Sequence, residues 1–252
     1  MKLRRTVLIA AGVLLAWQGV VLLTGAPPYI LPGPLPVALA IGSHFPLLLH
    51  HLQTTMIEII LGLVLGTVFG VASALAMTIL PRLKSWMLPL LVISQAIPVF
   101  ALAPVLVLWL GYGMASKVAM TVLIIFFPVC SSFYSGMQRI DPELLELARI
   151  MGGRRGEIMR YIVIPSALPS FAAGVRVAAA VAPIGAIVGE WVGSSSGLGF
   201  YMLYTNGRMQ IDLMFAALAV LSAASLVLYF SIDFFLNKLV FWETTKEIPN
   251  AV

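Results

Sequence analysis

The chain has 252 residues, 61% of them hydrophobic and 10% charged, with a mean hydropathy of +1.04. Soluble domains carry about a quarter charged residues, so this composition excludes an ordinary soluble globular protein. The net charge of +5 does not mark a nucleic-acid binder, because the basic residues collect in short segments beside apolar runs.

Met1 to Arg5 followed by the apolar run Val7 to Leu23 has the outline of a secretory signal. The run is long for one and no clear A-x-A site follows, so it is read as an uncleaved first span. No Asp, Glu, Lys or Arg occurs between Arg5 and Glu58, Lys84 and Lys117, Lys117 and Arg139, or Asp212 and Asp233. Intervals of about 20 residues match the hydrocarbon thickness of a bilayer at helical rise. The expected fold is all-α and polytopic, one transmembrane domain over 1–252. Six spans are predicted at about 6–24, 54–80, 86–110, 116–137, 167–190 and 213–236. Pro27, Pro28, Pro32, Pro34 and Pro36 make the first long loop irregular. Val37 to Leu49 then reads as a short interfacial helix, with His44, His50 and His51 near water. Cys130 lies in an apolar run and is the single cysteine, so it is read as a small core residue.

The Lys/Arg census sets orientation. With the N-terminus inside, the inner segments hold Lys2, Arg4, Arg5, Arg82, Lys84, Arg139, Arg149, Arg154, Arg155, Arg160, Lys238 and Lys246. The outer loops hold only Lys117 and Arg208, and Arg176 sits within the fifth span. This asymmetry predicts that both termini are cytoplasmic.

The longest inner loop, about 138–166, is predicted to be two short helices. Asp141-Pro142 supplies an N-cap and a first-turn proline. Leu144, Leu147, Ala148 and Met151 then recur at i, i+3, i+4 and i+7 as an apolar stripe. Gly152-Gly153 can supply the left-handed turn that ends the helix. The second piece runs from Arg154 to Ile162, and Pro165 and Pro169 restart the chain into the membrane. The stripe needs a cover: the protein's own inner face, lipid headgroups, or a partner protein.

Glu146-Leu147-Ala148-Arg149-Ile150-Met151-Gly152, then nine residues, then Ile162-Val163-Ile164-Pro165 resembles the "EAA" loop of ABC importer permeases. Glu146, Ala148, Gly152, Ile162 and Pro165 match that pattern in place, with Leu147 and Ile164 as substitutions of similar polarity. Leu31-Pro32-Gly33-Pro34, Ala96-Ile97-Pro98, Leu110-Gly111-Tyr112-Gly113 and Ser195-Ser196-Gly197-Leu198-Gly199 extend the resemblance to the nitrate/sulfonate/taurine branch. Gln95 to Phe100 and Asn206 to Phe215 resemble most the permeases for pyrimidine precursors of thiamine. The resemblance implies an inner-membrane permease, paired with a second copy, that docks through this loop on a cytoplasmic ATPase. It also implies a solute-binding protein outside. ATP and Mg would belong to the ATPase, and this chain would be no enzyme. Sulfonate, taurine or nitrate is the alternative cargo.

Candidate pathway residues follow from the cost of ionisable groups in a membrane. Glu58 shares a helix face with Gly62, Gly66 and Gly70, a stripe suited to close packing. It could line the path or anchor at headgroup level. Glu190 lies near the outer end of the fifth span, and Arg176 at its inner end is read as structural. Pro89, Pro98 and Pro104 are expected to interrupt the third span, where Ser94 and Gln95 could line the path.

Other motifs carry less. Gly193-Ser194-Ser195-Ser196-Gly197 fits G-x-S-x-G, but in an outer loop without a histidine partner it is not a nucleophile elbow. No phosphate-binding loop and no metal-ligand spacing occurs in the sequence. An ion-driven secondary transporter would predict an inverted repeat, which the sequence does not display.

Overall fold

A computed structural model describes residues 2–242, which among the described residues form α-helices and no strand. In chain order they are α1 (Lys2–Thr24), α2 (Pro34–Ser43), α3 (Phe45–Ile79), α4 (Pro81–Ala96), α5 (Val99–Leu110) and α6 (Met114–Gln138). They continue as α7 (Pro142–Ile150), α8 (Arg155–Ile158), α9 (Ile164–Gly193), α10 (Leu198–Gly207) and α11 (Ile211–Leu239). A π-helical segment, Met159–Val163, joins α8 to α9.

The centre is a three-helix sandwich with α6 in the middle, packed along its length on α3 and α9. Small residues permit the close approach. A Cβ on Gly62 would lie 2.4 Å from Thr121 Cγ2, and one on Gly185 would lie 2.7 Å from Thr121 Cα. Thr121 is thus clasped between two glycines on opposite helices, and its hydroxyl bonds back to the Lys117 carbonyl at 3.0 Å. One and two turns further on, Gly66 and Gly70 face Ile125 and Val129 in the same way. In a bilayer, where lipid tails compete for every apolar contact, such close packing supplies much of the attraction between helices. Arg176, a charge within the membrane-length helix α9, is neutralised from α11. Its Nε donates to Asp233 Oδ1 at 2.6 Å, and its guanidinium also donates to Asn237 Oδ1 at 2.6 Å.

Among the described residues, α3, α6, the continuous Arg155–Gly193 helix and α11 are long and apolar enough to cross a membrane. The interruption expected in the third span is found at one of its three prolines: α4 and α5 are bent by 103° across Ile97-Pro98, so 86–110 is a sharply broken pair. Pro98 lacks an N–H and disfavours helix at Ile97, whereas Pro89 and Pro104 stay inside their helices.

Three further expectations change. The predicted interfacial helix 37–49 ends at Ser43, and Phe45 already begins α3. At 35 residues α3 is about 52 Å long, well beyond the ~30 Å hydrocarbon layer. His44 and His50 are exposed as expected, but His51 is buried. The second loop helix does not stop before the membrane: through the π segment it becomes α9, with Pro165 in the first turn of α9. A proline ring clashes with the carbonyl four residues back, and the wider π turn relieves that clash. Lys117, assigned to an outer loop, lies in the first turn of α6 and is 4% exposed. The Lys246 region lies outside the described residues.

Candidate functional site

Functional side chains gather at the two ends of the sandwich. At one end, α7 begins as its sequence dictates: Asp141 accepts a hydrogen bond from the Glu143 N–H at 2.9 Å, with Pro142 at the first helical position. It ends at Gly152, where φ is +84° and the Gly153 N–H donates to the Ala148 carbonyl at 2.9 Å. The predicted apolar stripe divides in two. Ala148, with Leu145 and Ile140, packs on a core of Met137, Ile158 and Val163. Leu144, Leu147 and Met151 face away with nothing over them, and Ile150 beside them is 83% exposed.

The five motif residues therefore separate by role. Ala148 is small because it packs inward, and Gly152 takes a left-handed backbone that other residues adopt at a cost. Glu146 is exposed on α7. Ile162 falls in the π segment and Pro165 just beyond it, so both belong to the stem that carries the loop.

At the far end, Glu190 is 1% exposed near the C-terminus of α9 and organises a buried polar network. Its Oε1 accepts from Thr55 Oγ1 at 2.6 Å, and its Oε2 accepts from the Gly199 N–H at 2.5 Å and the Phe200 N–H at 3.3 Å. Thr55 in turn accepts from the Leu198 N–H at 2.8 Å, and His51 Nδ1 accepts from the Gly197 N–H at 3.2 Å. The first N–H groups of a helix have no partner within it. Here side chains from α3 and α9 satisfy those of α10. His51 also stacks on Tyr201 with ring centroids 4.9 Å apart.

Glu58 is buried beside this network, its carboxyl within hydrogen-bond reach of that of Glu190. Its Oε2 finds no donor. Burial overturns the headgroup-anchor reading of Glu58. Lys117, on α6, donates from Nζ to the carbonyls of Tyr112 and Gly113 at 2.9 and 3.1 Å.

Beside Glu190 opens a cavity of about 410 Å³ whose walls include the rings of Tyr112, Trp191, Phe200 and Tyr204. No Lys or Arg lines it. Arg208 lies over the Tyr204 ring, 4.3 Å from its centroid. Ser94 and Gln95 are not brought to this end cluster. They lie on α4, which packs against α3 and α6, and Ser94 bonds to the Leu91 carbonyl at 2.7 Å.

Sequence reasoning missed Thr55, His51 and the α10 backbone. One signal was present: His51, Thr55, Glu58 and Gly62 recur at i, i+4, i+7 and i+11, so a polar row extends the glycine face of α3. That this row meets a carboxylate 135 residues further along the chain had no local signature.

The profile of the family described as binding-protein-dependent transport system inner membrane component matches residues 62–241. A probable ABC transporter permease protein of Haemophilus influenzae is 50% identical over 95% of this chain and 98% of its own length. The formylaminopyrimidine transport permease protein of Halalkalibacterium halodurans is 38% identical over 85% of this chain and 86% of its own. Among solved structures, a chain of the inward-facing MetNI methionine ABC transporter superposes with a TM-score of 0.65. That likeness covers 78% of this chain and 98% of the other at 18% identity, and so bears on the fold alone.

Proposed function

Since the chain belongs to the binding-protein-dependent transport inner-membrane component family, as a permease subunit of an ABC importer, we propose that its 138–166 loop is the joint with a cytoplasmic ATPase. The observation that carries this is the uncovered apolar tip of α7, where Leu147, Ile150 and Met151 are 53%, 83% and 79% exposed. Clustered exposed apolar side chains on an otherwise packed loop fit a protein partner. The stem is stiff, because the loop's second half is continuous with the membrane-length helix α9. Movement of the tip would therefore be passed to the sandwich. ATP hydrolysis belongs to the partner, both termini face the cytoplasm, and a second copy of the chain completes the pathway in the bacterial inner membrane. A binding protein delivers solute on the opposite side. The test is co-purification of the detergent-solubilised protein with the ATPase, wild type against a Glu146→Ala/Gly152→Val double variant. Association lost in the variant supports the joint, and full association by a well-folded variant overturns it.

For cargo, the reading is a planar thiamine-pyrimidine precursor. Four aromatic rings around the cavity beside Glu190 suit stacking on a flat heterocycle. A sulfonate would call for cationic or strong N–H donors, and no basic residue lines that cavity. Uptake of labelled aminopyrimidine and taurine by cells carrying wild-type or Trp191→Leu protein tests this. Taurine uptake with no pyrimidine uptake by the wild type would sink the cargo assignment and leave the ATPase joint intact.

A further inference from the structure

A second cavity, of about 580 Å³, opens at the loop end between the last turn of α3, α7 and the Arg155–Ile164 segment. Its lining divides by chemistry. Arg149, Arg155 and Arg160 contribute three cationic side chains, and no acidic residue lines the cavity. The rest of the lining is mainly apolar and includes Ile79, Ile158 and Val163. Among the described residues none of these arginines forms an ion pair. The acid of α8, Glu157, is turned away to accept the Arg154 N–H at 2.8 Å.

The position of the cavity narrows what can fill it. The apolar run of α3 ends at Ile79, and Arg82 and Lys84 follow in the next turn. That change marks the boundary between hydrocarbon and headgroups, so the cavity, which Ile79 helps to line, lies at that boundary with both apolar and cationic lining. We infer that it binds one anionic phospholipid, its phosphate among Arg149, Arg155 and Arg160 and the start of an acyl chain against Ile79 and Val163. Guanidinium groups suit phosphate oxygens through paired N–H donors. A free anion would leave the apolar wall unexplained. An acidic segment of a protein partner would meet the outer face of α7, whereas the cavity lies behind that helix. A lipid held there touches α3, α7 and the π segment together, so membrane composition would tune how firmly the loop is seated.

The test uses the full-length protein purified in detergent, with lipid retention followed by native mass spectrometry and stability by thermal unfolding. The probes are dioleoyl phosphatidylglycerol, dioleoyl phosphatidylcholine and inorganic phosphate. Phosphatidylglycerol should be retained and should raise Tm, while the other two should do neither. An R149Q/R155Q/R160Q variant should bind phosphatidylglycerol about a hundredfold more weakly, from the attraction of each basic side chain to anionic lipid. Ile79→Trp, which fills the apolar side and keeps every charge, should weaken it as well and serves if the triple variant folds poorly. Equal retention of phosphatidylcholine overturns the inference as mere detergent-like adsorption. Protection by inorganic phosphate alone makes the site one for a soluble anion and also overturns it. Wild-type retention by both variants, or displacement of the lipid by the ATPase, overturns it too, the last result assigning the cavity to the protein partner.

Discussion

Gly152 and Gly197 both hold a positive φ, +84° and +106°, and their surroundings are opposite. A Cβ on Gly152 would meet nothing within 4 Å, whereas one on Gly197 would overlap the Glu190 carboxyl group. The loop end keeps its turn exposed and its apolar residues uncovered, and the far end encloses its turn among side chains that accept from the Gly197, Leu198, Gly199 and Phe200 N–H groups. The difference separates two uses of a positive-φ glycine. At the loop end the turn shapes a surface for something outside the chain, and at the far end it seats a helix within it.

The largest effect is expected from Gly197→Ala. Added steric conflict with Glu190 and an unfavourable backbone should together cost about 3 kcal/mol or more, read as a marked fall in Tm. An unchanged Tm would show that the far end is as loose as the loop end and erase the contrast. Glu190→Ala comes next. It leaves the N–H groups of Gly199 and Phe200 without their acceptor and the Thr55 hydroxyl with only the His51 carbonyl, at about 2–3 kcal/mol. Hydrogen exchange should rise over 198–207 while exchange in α7 stays as in the wild type. Uniform exchange changes across both ends would count against a local latch.

Gly152→Ala should cost only the backbone penalty, about 1–2 kcal/mol, and Gly152→Asn less, because asparagine tolerates this region. A Tm loss as large as that of Gly197→Ala would mean that the loop turn is buried in some assembled form. The smallest stability effect belongs to Ile150→Ser, within about 0.5 kcal/mol for so exposed a position. Its signature is reduced ATPase co-purification at unchanged Tm, and a large stability loss would show that Ile150 is already covered.

Much of the loop end was legible from local sequence. Asp141-Pro142 starts α7 and Gly152 ends it because capping and left-handed turns depend on residues within one helical turn. The glycine row of α3 was legible too, since helical periodicity alone places Gly62, Gly66 and Gly70 on one face. The prolines of 86–110 marked that span as interrupted, and the three-dimensional path decided that Pro98 alone makes the break and turns the chain by 103°. Local sequence failed at Arg154–Pro165, where a π segment carries the helix past prolines that ordinarily end one.

The sequence by itself determined that the chain is a helical membrane protein, where its apolar runs lie, and how its inner loop begins and turns. Those properties depend on composition and on neighbours a few residues apart. Tertiary structure decided that Glu190 caps a helix begun eight residues later, that Thr121 is held between glycines of two other helices, and that Lys117 is buried. It also decided which half of the α7 stripe stays uncovered. Such pairings join residues far apart in the chain, and a buried polar group accepts whichever partner the packing brings within reach.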